Sequence, residues 1–184
     1  MIKLHLGCGW RDFGKDWLHI DGGDYPHLDP LHQDLTNLHS IKDNSVDLIY
    51  ASHVLEYFDR TEVIAVLKEW HRVLKPGATL RLAVPDFEVM IGLYYEYMID
   101  LKDILGPLYG KMEMGNKTIY HKTTYDFNDL KTLLEENGFK DPVYWEWQKV
   151  DHGKFDDHSQ AYLNPKGDKI NGECISLNVE CKKK

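Results

Sequence analysis

The stretch Asp43 to Phe58, D-N-S-V-D-L-I-Y-A-S-H-V-L-E-Y-F, and its continuation Leu67 to Asp86, L-K-E-W-H-R-V-L-K-P-G-A-T-L-R-L-A-V-P-D, decide the fold. Val46 to Ala51 is nearly continuous in apolar residues, as a parallel strand covered on both faces is. Thr79 to Val84 reads as a second such strand. Between them Asp59 is placed as a helix N-cap, with Glu62 three residues on, the spacing of a capping box. Val63, Val66, Leu67, Trp70, Val73 and Leu74 recur at helical spacing, so one face of that helix is apolar. Lys75-Pro76-Gly77 is expected to end it. Strand, helix and strand in this order make a right-handed crossover unit of a parallel sheet.

Toward the N-terminus, Ile2 to Leu6 reads as a strand ending in Gly7-Cys8-Gly9, and Trp17 to Ile20 as a second ending at Asp21-Gly22-Gly23. A weaker third is expected near Leu31 to Gln33, before Asp34. Toward the C-terminus, Phe87, Met90, Ile91, Tyr94, Tyr97, Met98 and Leu101 share one face of a helix, with Tyr94 and Tyr97 expected in the core. Leu105 to Thr124 has no clean period and reads as an irregular insert. Asp126 caps a helix with Leu130, Leu133 and Leu134 inward and Gly138 at its end. Pro142 to Trp147 and Cys174 to Glu180 read as two final strands, joined by a long connection.

Several of these positions suit chemistry. The two glycines of H-L-G-C-G, His5 to Gly9, let the backbone turn sharply and approach a ligand closely, or simply make a tight turn. Asp12 stands where a dinucleotide fingerprint has its third glycine. That substitution disfavours a pyrophosphate and favours a smaller uncharged or zwitterionic group. Asp21, closing the second strand, can accept both hydroxyls of a ribose or be a solvated turn residue; the neighbouring glycine turn favours the ribose. Asp34-Leu35 can read an adenine edge, carboxylate to amine and amide to ring nitrogen, or form an Asx turn. Ser52, His53 and Val54 follow the central strand at its carboxyl end, where such sheets bind ligands. His53 is a base candidate or a histidine bonding loop carbonyls. Asp86 is a substrate-binding or base-orienting candidate and a helix N-cap.

Together L-G-C-G, an acid after the second strand, D-L, and the block Asp43 to Asp86 closely resemble the class I methyltransferases often called methyltransferase domain 11, over about Lys3 to Asp86. The resemblance implies a Rossmann-like α/β sandwich with a mostly parallel seven-stranded sheet and an antiparallel C-terminal hairpin. It implies S-adenosylmethionine as cofactor. Gly7 and Gly9 would lie against its methionine part, flanked by Leu6 and Cys8. Asp21 with Gly22 would hold the ribose, Asp34 and Leu35 the adenine, and Ser52, His53 and Val54 the remaining wall. The chain departs from the family in three ways. Only eleven residues separate Gly9 from Asp21 where a full helix is usual, so the N-terminal helices are reduced. The third strand and its helix are shortened. The usual L-E-H reads Leu55-Glu56-Tyr57.

Methyl transfer from a sulfonium is an in-line displacement, so the protein chiefly aligns the partners and excludes water. An acceptor hydroxyl also needs a base. His53 is the first candidate, His121 the second, and Asp86 the carboxylate that would serve if neither does. The expected activity is methyl transfer to a small-molecule or glycan-like acceptor. The alternatives are another reaction of the same cofactor, aminopropyl transfer or sulfonium cleavage, or a catalytically silent binding protein. One domain, 1–184, is expected, with a substrate lid at about 87–125. The formal net charge of -8 argues against general nucleic-acid binding. Cys8, Cys174 and Cys181 lack metal-ligand spacing and suit a reducing compartment, so no metal is expected. No apolar run approaches the roughly 18 residues that span a bilayer, and Met1 runs almost directly into a strand. No membrane partner and a cytoplasmic location are the expectations.

Overall fold

A computed structural model describes residues 1–29, 34–114, 117–163 and 169–184. Its centre is a six-stranded sheet in the order β2-β1-β3-β4-β10-β7. β1 (Lys3–Leu6), β2 (Leu18–Ile20), β3 (Val46–Ser52) and β4 (Leu74–Pro85) run parallel. β10 (Ser176–Lys183) lies antiparallel to β4 and to β7 (Phe139–Tyr144), which gives the C-terminal hairpin the expected sense. The strand expected near Leu31 to Gln33 lies outside the described residues, and the sheet they form has six strands where seven are expected.

The deciding crossover forms as its pattern requires. α1 (Glu62–Val73) buries Val63, Val66, Leu67, Trp70 and Val73 against the sheet. Asp59 and Glu62 cap it reciprocally: the Glu62 N–H donates to Asp59 Oδ1 (2.8 Å), and the Asp59 N–H donates to Glu62 Oε2 (2.9 Å). Lys75-Pro76-Gly77 does not sit outside the strand as expected. α1 ends at Val73, and β4 starts at Leu74 and runs through the triplet, with a register shift against β3 between Val46 and Leu48. Leu74, paired with Val46, is fully buried, and that packing carries the strand through the turn residues. α4 (Phe127–Glu136) is capped by Asp126, whose Oδ1 accepts the Asp129 N–H at 2.8 Å, and it buries Leu130 and Leu134.

The two sheet faces differ because strand side chains alternate. Leu4, Leu6, Ile49, Ala51, Leu80, Leu82 and Val84 face α1 and α4 in the main core. The opposite face carries His5, Tyr50 and Ala83, and among the described residues no α-helix joins the cluster on it. Phe13, Trp17, Trp145, Val150 and Phe155 cover it instead. Trp147–Lys149, Asp151–Lys154 and His158–Gln160 are single 3₁₀ turns. Their buried polar groups are paired: the Tyr50 hydroxyl donates to Asp157 Oδ2 (2.6 Å), and Gln160 Nε2 donates to the Gly153 and Phe155 carbonyls. The connection predicted as a long loop is thus a packed layer that takes the place of helices.

The described residues of the region read as irregular are ordered. α2 (Phe87–Glu96) is followed by α3 (Leu101–Tyr109) and a hairpin of β5 (Met112–Met114) and β6 (Lys117–Ile119). β8 (Tyr162–Leu163) and β9 (Glu173–Cys174) form a further antiparallel pair in the chain's final third. Met90, Leu93, Ile99, Ile104 and Ile175 form a satellite core. Tyr94 and Tyr97 do not enter it, contrary to expectation. They are 43% and 63% exposed, because Met90 and Leu93 set the inward face of α2. Lys182 and Lys183 belong to β10, and the Lys183 ammonium donates to the Asn44 side chain and the His71 and Leu74 carbonyls (2.7–2.9 Å).

Candidate functional site

The carboxyl ends of β1, β2, β3 and β4 gather the residues that the sequence singles out. Gly7 and Gly9 both take positive φ (+66° and +56°). At Gly7 a Cβ would come within 2.2 Å of Val54 Cγ2, so the first glycine exists to let the turn pack on the end of β3. At Gly9 a Cβ would meet nothing closer than Arg11 at 4.0 Å, so the second leaves an open approach to the backbone. The connection from Gly9 to β2 contains no helix, as its length demands.

Asp21 ties this turn to β2. Its Oδ2 accepts the Gly9 N–H (2.8 Å) and its Oδ1 accepts the Gly23 N–H (2.7 Å). A carboxylate offers about four acceptor positions, so both oxygens retain capacity for a ligand. An open cradle at Gly9 beside a carboxylate with unused acceptor positions fits an adenosyl amino acid. Cys8 is buried, its thiol directed to the Gly9 carbonyl and His27 Nε2 and pushed up to about 12 by burial. It is therefore a packed thiol. Asp34 is exposed and forms the Asx-type turn, accepting the Thr36 N–H at 2.8 Å; the Leu35 carbonyl accepts Trp70 Nε1–H at 2.8 Å. Ser52 is buried in alternation with Tyr50, on the histidine-rich face.

His53 has φ of +53°, a left-handed conformation uncommon for a side-chain-bearing residue. It turns the chain sharply out of β3, with its N–H donating to the Ala83 carbonyl of β4 (2.8 Å). The structure brings His53 and His121 together, and it does so on a residue that sequence reasoning did not select. Glu56 Oε1 lies 3.4 Å from His53 Nδ1 and 3.6 Å from His121 Nε2. Glu56 is completely buried, His53 is 12% exposed at its side chain and His121 5%. Burial holds both imidazoles below their usual value and pushes the Glu56 carboxyl up to about 8. The i, i+3 spacing of His53 and Glu56 was the available signal, but His121 comes from 65 positions further along the chain. It is seated by Gly110, where a Cβ would collide with its ring, and by its own N–H to the Tyr109 carbonyl (2.9 Å). Asp86 follows the end of β4, bridged to Tyr125. Its Oδ1 accepts the Val89 N–H of α2 (3.1 Å), and burial raises its carboxyl.

A cleft of about 350 Å³ lies at the corner of α2 and α3, lined by Tyr94, Tyr95, Met98, Ile99, Asp100 and Leu101. None of its lining residues belongs to the glycine turn or the histidine pair. Among the described residues no helix is long and apolar enough to cross a membrane.

Comparison with known proteins agrees with this geometry. Residues 12–82 match the family model of a methyltransferase domain. The chain is 29% identical over 153 residues to a demethylmenaquinone methyltransferase of Staphylococcus haemolyticus, covering 75% of this chain and 60% of that protein. It is 30% identical over 147 residues to the namesake of Staphylococcus epidermidis, covering 72% and 57%. The chain thus spans less than two thirds of the length of these relatives. Among solved structures it resembles a SAM-dependent methyltransferase from Archaeoglobus fulgidus, with a TM-score of 0.59, 18% identity, and coverage of 99% of this chain and 86% of that one. It also resembles a 1,6-didemethyltoxoflavin-N1-methyltransferase from Burkholderia thailandensis holding S-adenosylhomocysteine, with a TM-score of 0.55, 15% identity, and coverage of 99% and 70%. Residues 12–82 thus match a methyltransferase domain, and the chain as a whole has the fold of solved S-adenosylmethionine-dependent methyltransferases.

Proposed function

We propose that this chain transfers a methyl group from S-adenosylmethionine to a small-molecule acceptor. The observation that carries the reading is the Gly9 N–H bound to Asp21 at the mouths of two adjacent parallel strands, beside an open glycine backbone. Relatives named for a demethylated quinone and a neighbour named for a toxoflavin precursor support a small molecule over a macromolecule.

In this reading Leu6, Gly7, Cys8 and Gly9 shape the cradle for the amino-acid part. Asp21 and Gly22 hold the ribose, Asp34 and Leu35 the adenine, and Ser52, His53 and Val54 the remaining wall. The bound cofactor supplies a methyl already activated on a sulfonium. The residues around it align the acceptor, exclude water and take up its proton. His53, the more exposed of the two histidines, is the first base for a hydroxyl acceptor. His121, 5% exposed, is the second, and Asp86 is the carboxylate that serves if neither does. The insert at 87–125 is the lid over the acceptor.

Incubation with cofactor labelled in the methyl group tests the activity. Label in the acceptor, with S-adenosylhomocysteine released, is expected. Label retained in a thioether by-product would make the enzyme an aminopropyl transferase or sulfonium lyase instead. Tight binding without turnover over a broad acceptor panel would leave a silent binding protein.

A further inference from the structure

Glu56 is fully buried, and neither carboxyl oxygen makes a hydrogen bond within the protein. The groups facing it can be assigned their protons by following the network outward. Asn178 Nδ2 donates to the Ser159 carbonyl (2.9 Å), so Asn178 Oδ1 is the acceptor of the Ser176 hydroxyl (3.1 Å). Ser176 Oγ, having given its hydrogen to Asn178, accepts from His53 Nε2 (3.1 Å). A neutral His53 protonated at Nε2 has a bare Nδ1, and Nδ1 is the atom that faces Glu56. His121 repeats the pattern with the nitrogens exchanged. Its Nδ1–H donates to the Leu108 carbonyl (3.2 Å), which leaves a bare Nε2 facing the same Glu56 oxygen. An ionised carboxylate would then confront two lone pairs in a space closed to water, an arrangement repulsive in every pair.

We propose that Glu56 is held as a neutral carboxylic acid whose single proton lies between His53 and His121, making it the positioning residue that fixes the tautomer of both rings. The carboxyl's rise to about 8 through burial agrees with this network. So does the surrounding charge. His158 lies 5.2 Å from the His53 ring, and Arg11 acts on His53 from the glycine turn. Tyr57 stacks edge-on to His121 (4.7 Å), and Tyr125 faces the carboxyl from the strand bridge at Asp86. Arg60 is drawn off over the Tyr125 ring and to Asp129, and Lys122, whose N–H donates to the Glu56 carbonyl, sends its ammonium to Glu62. Neither cation is bonded to the carboxyl, so neither holds it ionised.

The consequence for methyl transfer rests on the reading of His53 as base. Below about pH 8 the His53 lone pair points at Glu56 and Nε2 carries hydrogen, so the ring takes no proton from an acceptor. When Glu56 ionises, the stable arrangement reverses: Nδ1–H donates to the carboxylate and Nε2 is bare. The acceptor O–H bond then breaks toward Nε2 as its oxygen takes the methyl, the carbon–sulfur pair staying on sulfur as a neutral thioether, and the resulting imidazolium pairs with Glu56.

Nitrogen NMR of the imidazoles in the purified protein tests the positioning role without turnover. The wild type should show His53 protonated at Nε2 and His121 at Nδ1 at pH 6.5. The ¹³C resonance of Glu56 and the His53 tautomer should change together with a midpoint near 8. In Glu56→Gln, whose amide can donate without ionising, that midpoint should vanish while both tautomers persist. Should Glu56→Gln not fold, the wild-type carbon titration still decides. A Glu56 midpoint near ~4–5, the ordinary range, or His53 protonated at Nδ1 at pH 6.5, overturns the proposal. So does stoichiometric movement of both rings on adding Zn²⁺ or Mn²⁺ to chelator-treated protein, which would assign the cluster to a cation. With an acceptor in hand, kcat should rise through pH 8 in the wild type and lose that rise in Glu56→Gln, with KM for the cofactor unchanged. A flat wild-type profile alongside the expected NMR would remove His53 as base and leave Glu56's role intact.

Discussion

At the residue scale, Asp21 and Gly7 separate ligand binding from turn geometry. Two acceptor positions of the Asp21 carboxylate already hold the Gly9 and Gly23 amides, and those left over are what a ribose would use. Asp21→Ala should therefore act twice. It should lower the melting temperature, because two backbone donors lose their acceptor. It should also weaken S-adenosylhomocysteine binding to the folded protein by about 1–3 kcal/mol, the scale of buried polar partners left unmade. Calorimetry separates the two effects, and an unchanged affinity would withdraw the ribose assignment. Gly7 is a packing residue: an alanine there meets Val54 Cγ2 and is strained by a φ of +66°. Gly7→Ala should destabilise, and adding Val54→Ala should recover part of the loss, leaving about 1–2 kcal/mol for the backbone strain. No recovery in the double variant would show that the clash is relieved elsewhere. Both residues were legible in the sequence because glycine and a strand-ending acid report backbone and ligand needs locally. Glu56 was not, because its meaning depends on His121 and Ser176, brought to it by tertiary packing from far along the chain.

At the scale of elements, legibility follows how far each one is from its determinants. The β3–α1–β4 crossover could be read because its helix carries its own cap, Asp59 with Glu62, and a full apolar stripe. The start of β4 was misread because Pro76 and Gly77 are local stop signals that the pairing of Leu74 with Val46 overrides. The turn-rich layer from Trp145 to Gln160 has no period of its own. Its place is set by partners such as Leu82, whose carbonyl accepts Trp145 Nε1–H. The insert shows the opposite case. α3 keeps only Ile104 buried, and the β5–β6 hairpin is almost wholly solvent-facing, so few contacts resist its opening. What fixes it is the Tyr57 hydroxyl on the Gly110 carbonyl (2.9 Å) and the bonds at His121. Hydrogen exchange should thus be fast in the described parts of 101–120 relative to β1, β3 and β4, and slow on addition of cofactor product with acceptor. Protection equal to that of β3 in the free protein would count against a moving lid.

At the scale of the whole molecule, buried neutral imidazoles set the response to acid. His5, His19, His53, His121, His152 and His158 are all held below the usual value by burial, His152 down to about 3. His5 stacks on Phe13 at 3.9 Å and His152 packs tilted against Tyr50 at 4.1 Å, so the non-helical face of the sheet is built partly from rings that must stay uncharged. Below about pH 6.5, the ordinary histidine value, the unfolded chain takes up protons that the folded protein refuses. Stability therefore falls as pH drops, by roughly 1.4 kcal/mol per pH unit for each such proton, until the folded group itself titrates. Glu56 works in the other sense. Its raised carboxyl favours the folded state below its ordinary value near 4.5, and that contribution is lost as pH rises toward about 8. Asp86 is raised in the same sense, and two carboxyls against several imidazoles leave the acid limb the steeper and put the stability maximum near neutrality. Urea unfolding between pH 7 and 4.5 should show a slope worth more than one proton. His152→Gln keeps an oxygen toward Arg81, which now donates to the ring from 3.2 Å, and removes one titrating site. That variant should unfold more easily at pH 7 yet lose stability less steeply with acid, by about one proton. A wild-type slope near zero between pH 6.5 and 5, or a variant with the wild-type slope, would mean that these imidazoles carry their charge in the folded state.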